Sequence, residues 1–155
     1  MNYFSIASLA LVAALGQARG QAAEVDAAPA DAWPMYRGTA SLTGVSKSKL
    51  SMSLKPLWTF KAEEGIHSTA AIAGGKVYVG CDDGNLYALD FKTGKKQWAF
   101  ATDDIVESSP LVHNGRVYFG SSDGFVYALT ATDGKLLWKF ETEDRVLGAP
   151  NLFQP

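Results

Sequence analysis

The sequence contains a single cysteine, Cys81, among 155 residues. One thiol excludes an intrachain disulfide and any cysteine-built metal framework. Charge is scarce as well: Asp, Glu, Lys and Arg make up 19% of the chain, below the roughly 25% of an ordinary domain. The formal net charge is −2, with no long run of either sign, so nucleic acid or another polyanion finds no electrostatic footprint. No apolar run reaches the roughly 20 residues that span a bilayer. The 3.6-residue apolar spacing of amphipathic helices is missing too. Glycine is plentiful, at 15 residues, against an average usage of roughly 7%. Low charge with high glycine points to buried strands joined by tight turns.

The uncharged stretch from Tyr3 to Gly16, followed by Ala18-Arg19-Gly20, has the pattern of a secretory leader. Its first residues lack Lys and Arg, leaving the amino terminus as their only positive charge. Residues 1–20 are therefore read as a signal peptide, and the mature chain as periplasmic or secreted, with no membrane span. No cysteine stands at the cleavage point to make a lipoprotein. Residues 21–32 are rich in Ala and Pro with acidic residues, and without periodicity they read as a disordered linker. In Trp33-Pro34-Met35-Tyr36-Arg37-Gly38, two aromatics and a glycine turn mark residues 33–53 as a segment docked on a core.

The core announces itself through repetition. Trp58, Trp98 and Trp138 are each 40 residues apart (98 − 58 and 138 − 98). The same offset aligns Phe60/Phe100/Phe140, Tyr78/Tyr118, Gly80/Gly120, Asp83/Asp123, Gly84/Gly124, Tyr87/Tyr127, Ala88/Ala128, Gly94/Gly134 and Lys95/Lys135. A period of roughly 40–45 residues built from short strands is the signature of propeller blades. Asn114-Gly115, Asp123-Gly124 and Asp133-Gly134 supply three turn signals per repeat, and residues that tolerate positive φ make antiparallel hairpins. The expected strands are Ile66–Ala73, Lys76–Cys81, Asn85–Asp90 and Lys95–Ala101 in one blade. In the next they are Val106–Val112, Arg116–Ser121, Phe125–Thr130 and Lys135–Glu141. Leu86-Tyr87-Ala88-Leu89 and Val126-Tyr127-Ala128-Leu129 have no polar alternate position, so both faces of these strands should be covered. The fold class is all-β, with four-stranded antiparallel blades at 66–101 and 106–141. Residues 54–155 then form an incomplete propeller of about two and a half blades. Leu54–Lys61 is expected as a fourth strand and Val146–Phe153 as a first strand of further blades. Closure needs about four to eight blades, so the natural polypeptide is expected to continue for several more repeats.

Ala88-x-Asp90-x-x-Thr93-Gly94-Lys95-x-x-Trp98 resembles the tryptophan-docking motif of the pyrroloquinoline-quinone-type (quinoprotein-like) β-propellers. Ala128 to Trp138, with Gly134 and Lys135, is similar except that Thr130 and Asp133 exchange the hydroxyl and the carboxylate. The resemblance covers Trp33 to the end of the chain. It implies that each Trp is held between the motif's own Ala and the Gly peptide of the next blade, which would place Trp98 between Ala88 and Gly134.

For activity the resemblance implies little, because such propellers include both quinone-dependent dehydrogenases and members without a cofactor. The dehydrogenases carry an adjacent Cys–Cys disulfide, a calcium site and a catalytic Asp. Cys81 cannot form that disulfide, and Asp83 and Asp123 read as turn residues rather than calcium ligands. No catalytic, cofactor-binding or metal residue is assigned, and neither quinone nor calcium is expected. His67 and Glu107 occupy one repeat slot that Leu147 also fills, at the opening of the first strands, and are candidates to face the central channel. His113 reads as a surface residue before its turn, and Cys81 as a small buried or half-buried side chain rather than a nucleophile. The favoured function is an exported, non-enzymatic scaffold that binds other proteins, similar to propellers of the outer-membrane barrel-assembly type. The alternatives are the N-terminal part of a quinone-dependent alcohol or sugar dehydrogenase, and a sensor domain of a larger chain.

Overall fold

The computed structural model describes residues 32–46 and 52–152. The expected leader and nearly all of the expected linker lie outside the described residues. Eight strands fall into two four-stranded sheets, and among the described residues there is no helix. The first sheet runs β1 (Ala71–Ala73), β2 (Lys76–Gly80), β3 (Asn85–Asp90), β4 (Lys96–Ala101), in that spatial order. The second runs β5 (Leu111–His113), β6 (Arg116–Gly120), β7 (Phe125–Thr130), β8 (Leu136–Glu141). Every pairing is antiparallel between chain neighbours. The all-β blade architecture expected from the 40-residue period is therefore present.

Local sequence explains the meander. Asn114 and Gly115 both take positive φ, 48° and 70°, as a two-residue hairpin requires. Each blade also carries a register shift at the same place, Ala88/Leu89 and Ala128/Leu129. The central strands are buried on both faces: Leu86, Tyr87, Ala88 and Leu89 are all at or below 6% exposure. One face of the first sheet meets the second sheet in a core of Tyr78, Leu86, Val106, Phe119, Tyr127 and Leu129. The other face, with Val77, Val79, Tyr87 and Leu89, is covered by Trp58 and Phe60.

Three expectations about strand extent are corrected. The first strands start at Ala71 and Leu111 rather than at Ile66 and Val106. Ahead of β1 the Ser68 hydroxyl accepts from Gly80 N at 2.8 Å and donates to Gly80 O at 3.0 Å. A side chain thus takes the ladder positions that a backbone would fill. Ahead of β5, Pro110 has no N–H to offer a ladder. Leu54–Lys61 is not a strand: it has no third strand beside it, and its aromatics pack on the sheet face instead. The described part of Val146–Phe153 is likewise not a strand, although Val146 N donates to Ser121 O at 3.0 Å.

The stretch after Ala32 runs along the free edges of β1 and β5. Trp33 forms a bridge with Ile72 through bonds of 2.8 and 2.7 Å, and Val112 N donates to Pro34 O at 2.7 Å. Met35 is buried there, and Gly38 lies under the Trp33 ring.

Candidate functional site

Two groups of residues stand out: the contacts that join the blades and a polar cluster at the junction of their loops. At the first, Trp98 lies opposite Ala88 across β3 and β4. A Cβ placed on Gly134 would be 2.6 Å from Trp98 Cε3, so the indole of one blade rests on the turn peptide of the next. Trp58 lies on Gly94 in the same manner, and its Nε1 donates to Phe91 O at 2.8 Å. Trp138 faces Ala128 but is 38% exposed.

The turns beneath these indoles are tied by side chains. Asp90 Oδ1 accepts from Thr93 N and Thr93 Oγ1, both at 2.8 Å, and from Lys92 N at 3.1 Å. The Thr93 bonds hold the Asp90 carboxyl below its ordinary range. Lys95 N reaches back to Thr93 Oγ1 at 3.4 Å. In the second blade the exchanged pair still bonds across the turn: the Thr130 hydroxyl donates to Asp133, and Lys135 N donates to Thr130 Oγ1 at 2.9 Å. Lys135 Nζ sits 2.8 Å from Asp133 Oδ2. Lys135 and then Thr130 bring the Asp133 carboxyl down to about 2.

At the opposite end of the strands, the β2–β3 turn and the connections between blades gather Asp82, Asp83, Asp103 and Asp104 around a shallow hollow with Thr102 and Ile105. Asp83 is occupied by its own turn. It accepts from Asn85 N at 3.0 Å and from the Tyr87 hydroxyl at 2.6 Å. Burial raises its carboxyl, but the bonds from Tyr87 and Asn85 outweigh this and leave it below the ordinary value. Asp123 is used in the same way by Phe125 N and the Tyr127 hydroxyl, and it also accepts from Asp103 N at 3.1 Å. Both residues behave as the turn carboxylates that the sequence implied.

Asp82 is different. Its Oδ2 lies 2.8 Å from His67 Nδ1, while its Oδ1 is buried with no hydrogen-bond partner. Ligand atoms of His67, Asp82 and Glu107 all lie within 4.8 Å of one another. The two residues singled out as channel candidates are thus brought together, with Asp82 as a third. Asp82 was missed because it sits beside the turn carboxylate Asp83. The available signal was that its repeat counterpart is Ser122. Cys81 is fully buried, its thiol donates to Glu64 O at 3.6 Å, and burial pushes its pKa up. His113, at the end of β5, is half-buried and lies outside this cluster.

A family model described as the outer membrane protein assembly factor BamB matches residues 51–152. No curated protein matches the chain. Among solved structures, BamB from Moraxella catarrhalis is similar at 24% identity and a TM-score of 0.52, over 56% of this chain and 27% of that one. The quinohemoprotein alcohol dehydrogenase of Comamonas testosteroni is similar at 24% identity and a TM-score of 0.68, over 79% and 22%. A europium-containing methanol dehydrogenase is similar at 23% identity and a TM-score of 0.70, over 81% and 26%. The chain spans about a quarter of the length of each of these three proteins. Likeness at such identity carries the fold: the two sheets are propeller blades.

Proposed function

Because the chain belongs to the family of the outer membrane protein assembly factor BamB, we propose that it is an exported, non-enzymatic propeller module that binds other proteins. The family match over residues 51–152 carries this reading. Two surface features support it. Along β8, Leu136, Leu137, Trp138 and Phe140 are 46, 45, 38 and 50% exposed, an apolar strand suited to a further blade or to a partner protein. The two ends of the strands also differ in charge. Asp82, Asp103, Asp104 and Asp144 stand in the turns of one end, and Lys92, Lys95 and Lys135 in the turns of the other.

The dehydrogenase reading draws support from the wider coverage of the two dehydrogenase structures, but the residues do not fit a quinone. Cys81 is the single cysteine and is fully buried behind its bond to Glu64. The carboxylates of Asp83 and Asp123 are committed to their turns.

The experiment is deletion of the gene followed by measurement of the folded fraction of outer-membrane barrel proteins, with the purified chain assayed for dye-linked alcohol oxidation after addition of pyrroloquinoline quinone and Ca²⁺. Loss of folded barrels without oxidation is the expected result. Normal barrels together with stoichiometric quinone binding replace this reading with the dehydrogenase one. Recovery of the mature chain in the cytoplasm alone would refute export.

A further inference from the structure

We propose that His67, Asp82 and Glu107 form a binding site for a divalent transition metal, Zn²⁺ foremost, across the junction of the two blades. His67 lies in the approach to β1, Asp82 follows β2 and Glu107 lies in the approach to β5, so the site belongs to neither blade alone. Ligands about 2.1 Å from one tetrahedral zinc ion are about 3.4 Å apart. The ligand atoms here lie within 4.8 Å of one another, so closing on one ion needs side-chain shifts of about an ångström.

Internal repetition supplies the control. Asp82 N donates to Gly65 O at 2.9 Å, and its counterpart Ser122 N donates to Ile105 O at 3.0 Å. The backbone frame is the same, so the turn has no need of a carboxylate at 82. The His67 and Glu107 slot is filled at the next repeat by Leu147, so the frame does not need a polar group there either. The three polar residues meet at one blade junction and depart from the repeat only there.

The buried Oδ1 of Asp82 lacks a partner, as does Oγ of its repeat counterpart Ser122, but only at 82 is the orphan an oxygen of a carboxylate. It is shielded from solvent and accepts no hydrogen bond, an arrangement that costs the desolvation of an anionic oxygen without recompense. A cation supplies what is absent. Gly65 makes room for the pair: a Cβ there would stand 2.9 Å from Asp82 Oδ2 and 3.2 Å from His67 Cε1.

The donor set decides the ion. One imidazole and two carboxylates suit zinc and its first-row neighbours, whereas calcium takes six to eight oxygens. Metal binding needs an unprotonated ring nitrogen and an ionised carboxylate, so any proton these groups carry leaves to solvent on binding. The His67 side chain is 65% exposed, so water fills the remaining coordination positions.

The test is calorimetric titration of ZnCl₂ into the full chain. One saturable equivalent is expected. His67→Gln and Glu107→Gln should each weaken binding by at least about tenfold, the scale on which even indirect partners of a metal act. His113→Gln should leave binding unchanged, and CaCl₂ should not compete. Glu107→Leu, which copies the residue the repeat carries at 147, serves if Glu107→Gln fails to fold by circular dichroism. Absence of saturable zinc binding overturns the proposal. So does zinc affinity indifferent to both substitutions, or calcium binding as tight as zinc.

Discussion

At the scale of the residue, the chain offers the same side chain in two situations. Trp98 is packed over Gly134, whereas Trp138 occupies the equivalent position with nothing beyond it among the described residues. Truncating a packed Trp costs about 3–5 kcal/mol through lost burial and the cavity left behind. Trp98→Ala should therefore lower unfolding stability by that order in a urea titration, and Trp138→Ala by well under half as much. Equal losses would mean that the Trp98 contact contributes nothing beyond its area. Gly134→Ala tests the partner side: its φ of +71° and the 2.6 Å approach to Trp98 both oppose a Cβ, so this one methyl should destabilise where an ordinary surface Ala would not. The Asp83–Tyr87 pair yields a pH signature. Asp83 has a depressed folded-state pKa, so its contribution is present above the unfolded value of about 3.9 and is lost as pH falls through the lower folded value. The Tyr87 phenol is raised by burial and then by Asp83, so its contribution holds below about 10 and fades above. Tyr87→Phe should cost about 1.5–3 kcal/mol at pH 7, as expected for a bond to a charged group. The gap between it and the parent should close below about pH 4 in denaturant titrations, and a gap constant down to pH 2 would show that Asp83 plays no part.

At the scale of the element, burial orders the strands. The central pair in each blade is bonded on both sides, with β2 and β3 buried apart from end residues and β6 and β7 buried except at half-buried Tyr118, Phe125, Val126 and Thr130 and exposed Arg116, while β1 and β5 are three residues long and β8 is exposed throughout. Hydrogen exchange should be slowest at Tyr78, Leu86, Ala88 and their counterparts Tyr118, Val126 and Ala128, and fastest along β8; a β8 as protected as β7 would contradict this order. These central strands were legible in the sequence because an apolar run between two Gly turns has one interpretation when it recurs 40 residues later. The starts of β1 and β5 were not legible. The Ser68 hydroxyl that replaces a ladder bond is indistinguishable in sequence from an ordinary strand serine, and hydrophobic pattern does not record which partner a backbone amide finds. Leu54–Lys61 carries the aromatic pattern of a fourth strand, but a strand also requires a neighbour, and pattern alone cannot supply one. The slot that His67 and Glu107 share was visible in the repeat, but that the two side chains lie close to each other was not. Asp82 could not be added to them, because the turn motif next to it explained the whole acidic stretch at once.

At the scale of the whole molecule, the two sheets bury one face of each against the other and leave β8 uncovered. An apolar strand with an unpaired edge is a template for association. The chain as it stands in sequence should therefore show sedimentation coefficients that rise with concentration. Leu136→Lys with Phe140→Lys should abolish the rise without unfolding the blades, and persistence of the rise would place the association elsewhere. The Trp-to-Gly contact has a further consequence for how such a chain can change in length. Trp58 rests on Gly94 and Trp98 on Gly134, and both pairs are 36 residues apart (94 − 58 and 134 − 98). Each contact thus spans two repeats and ignores the absolute position of either. Excision of any 40 consecutive residues between Trp58 and Gly134 would bring Trp58 to Gly134 at the same separation of 36, whereas removal of 39 or 41 would shift that register by one residue. Whole-period duplication or deletion therefore preserves each Trp-to-Gly contact directly, whereas any other change of length must be absorbed by a loop lying between the two residues.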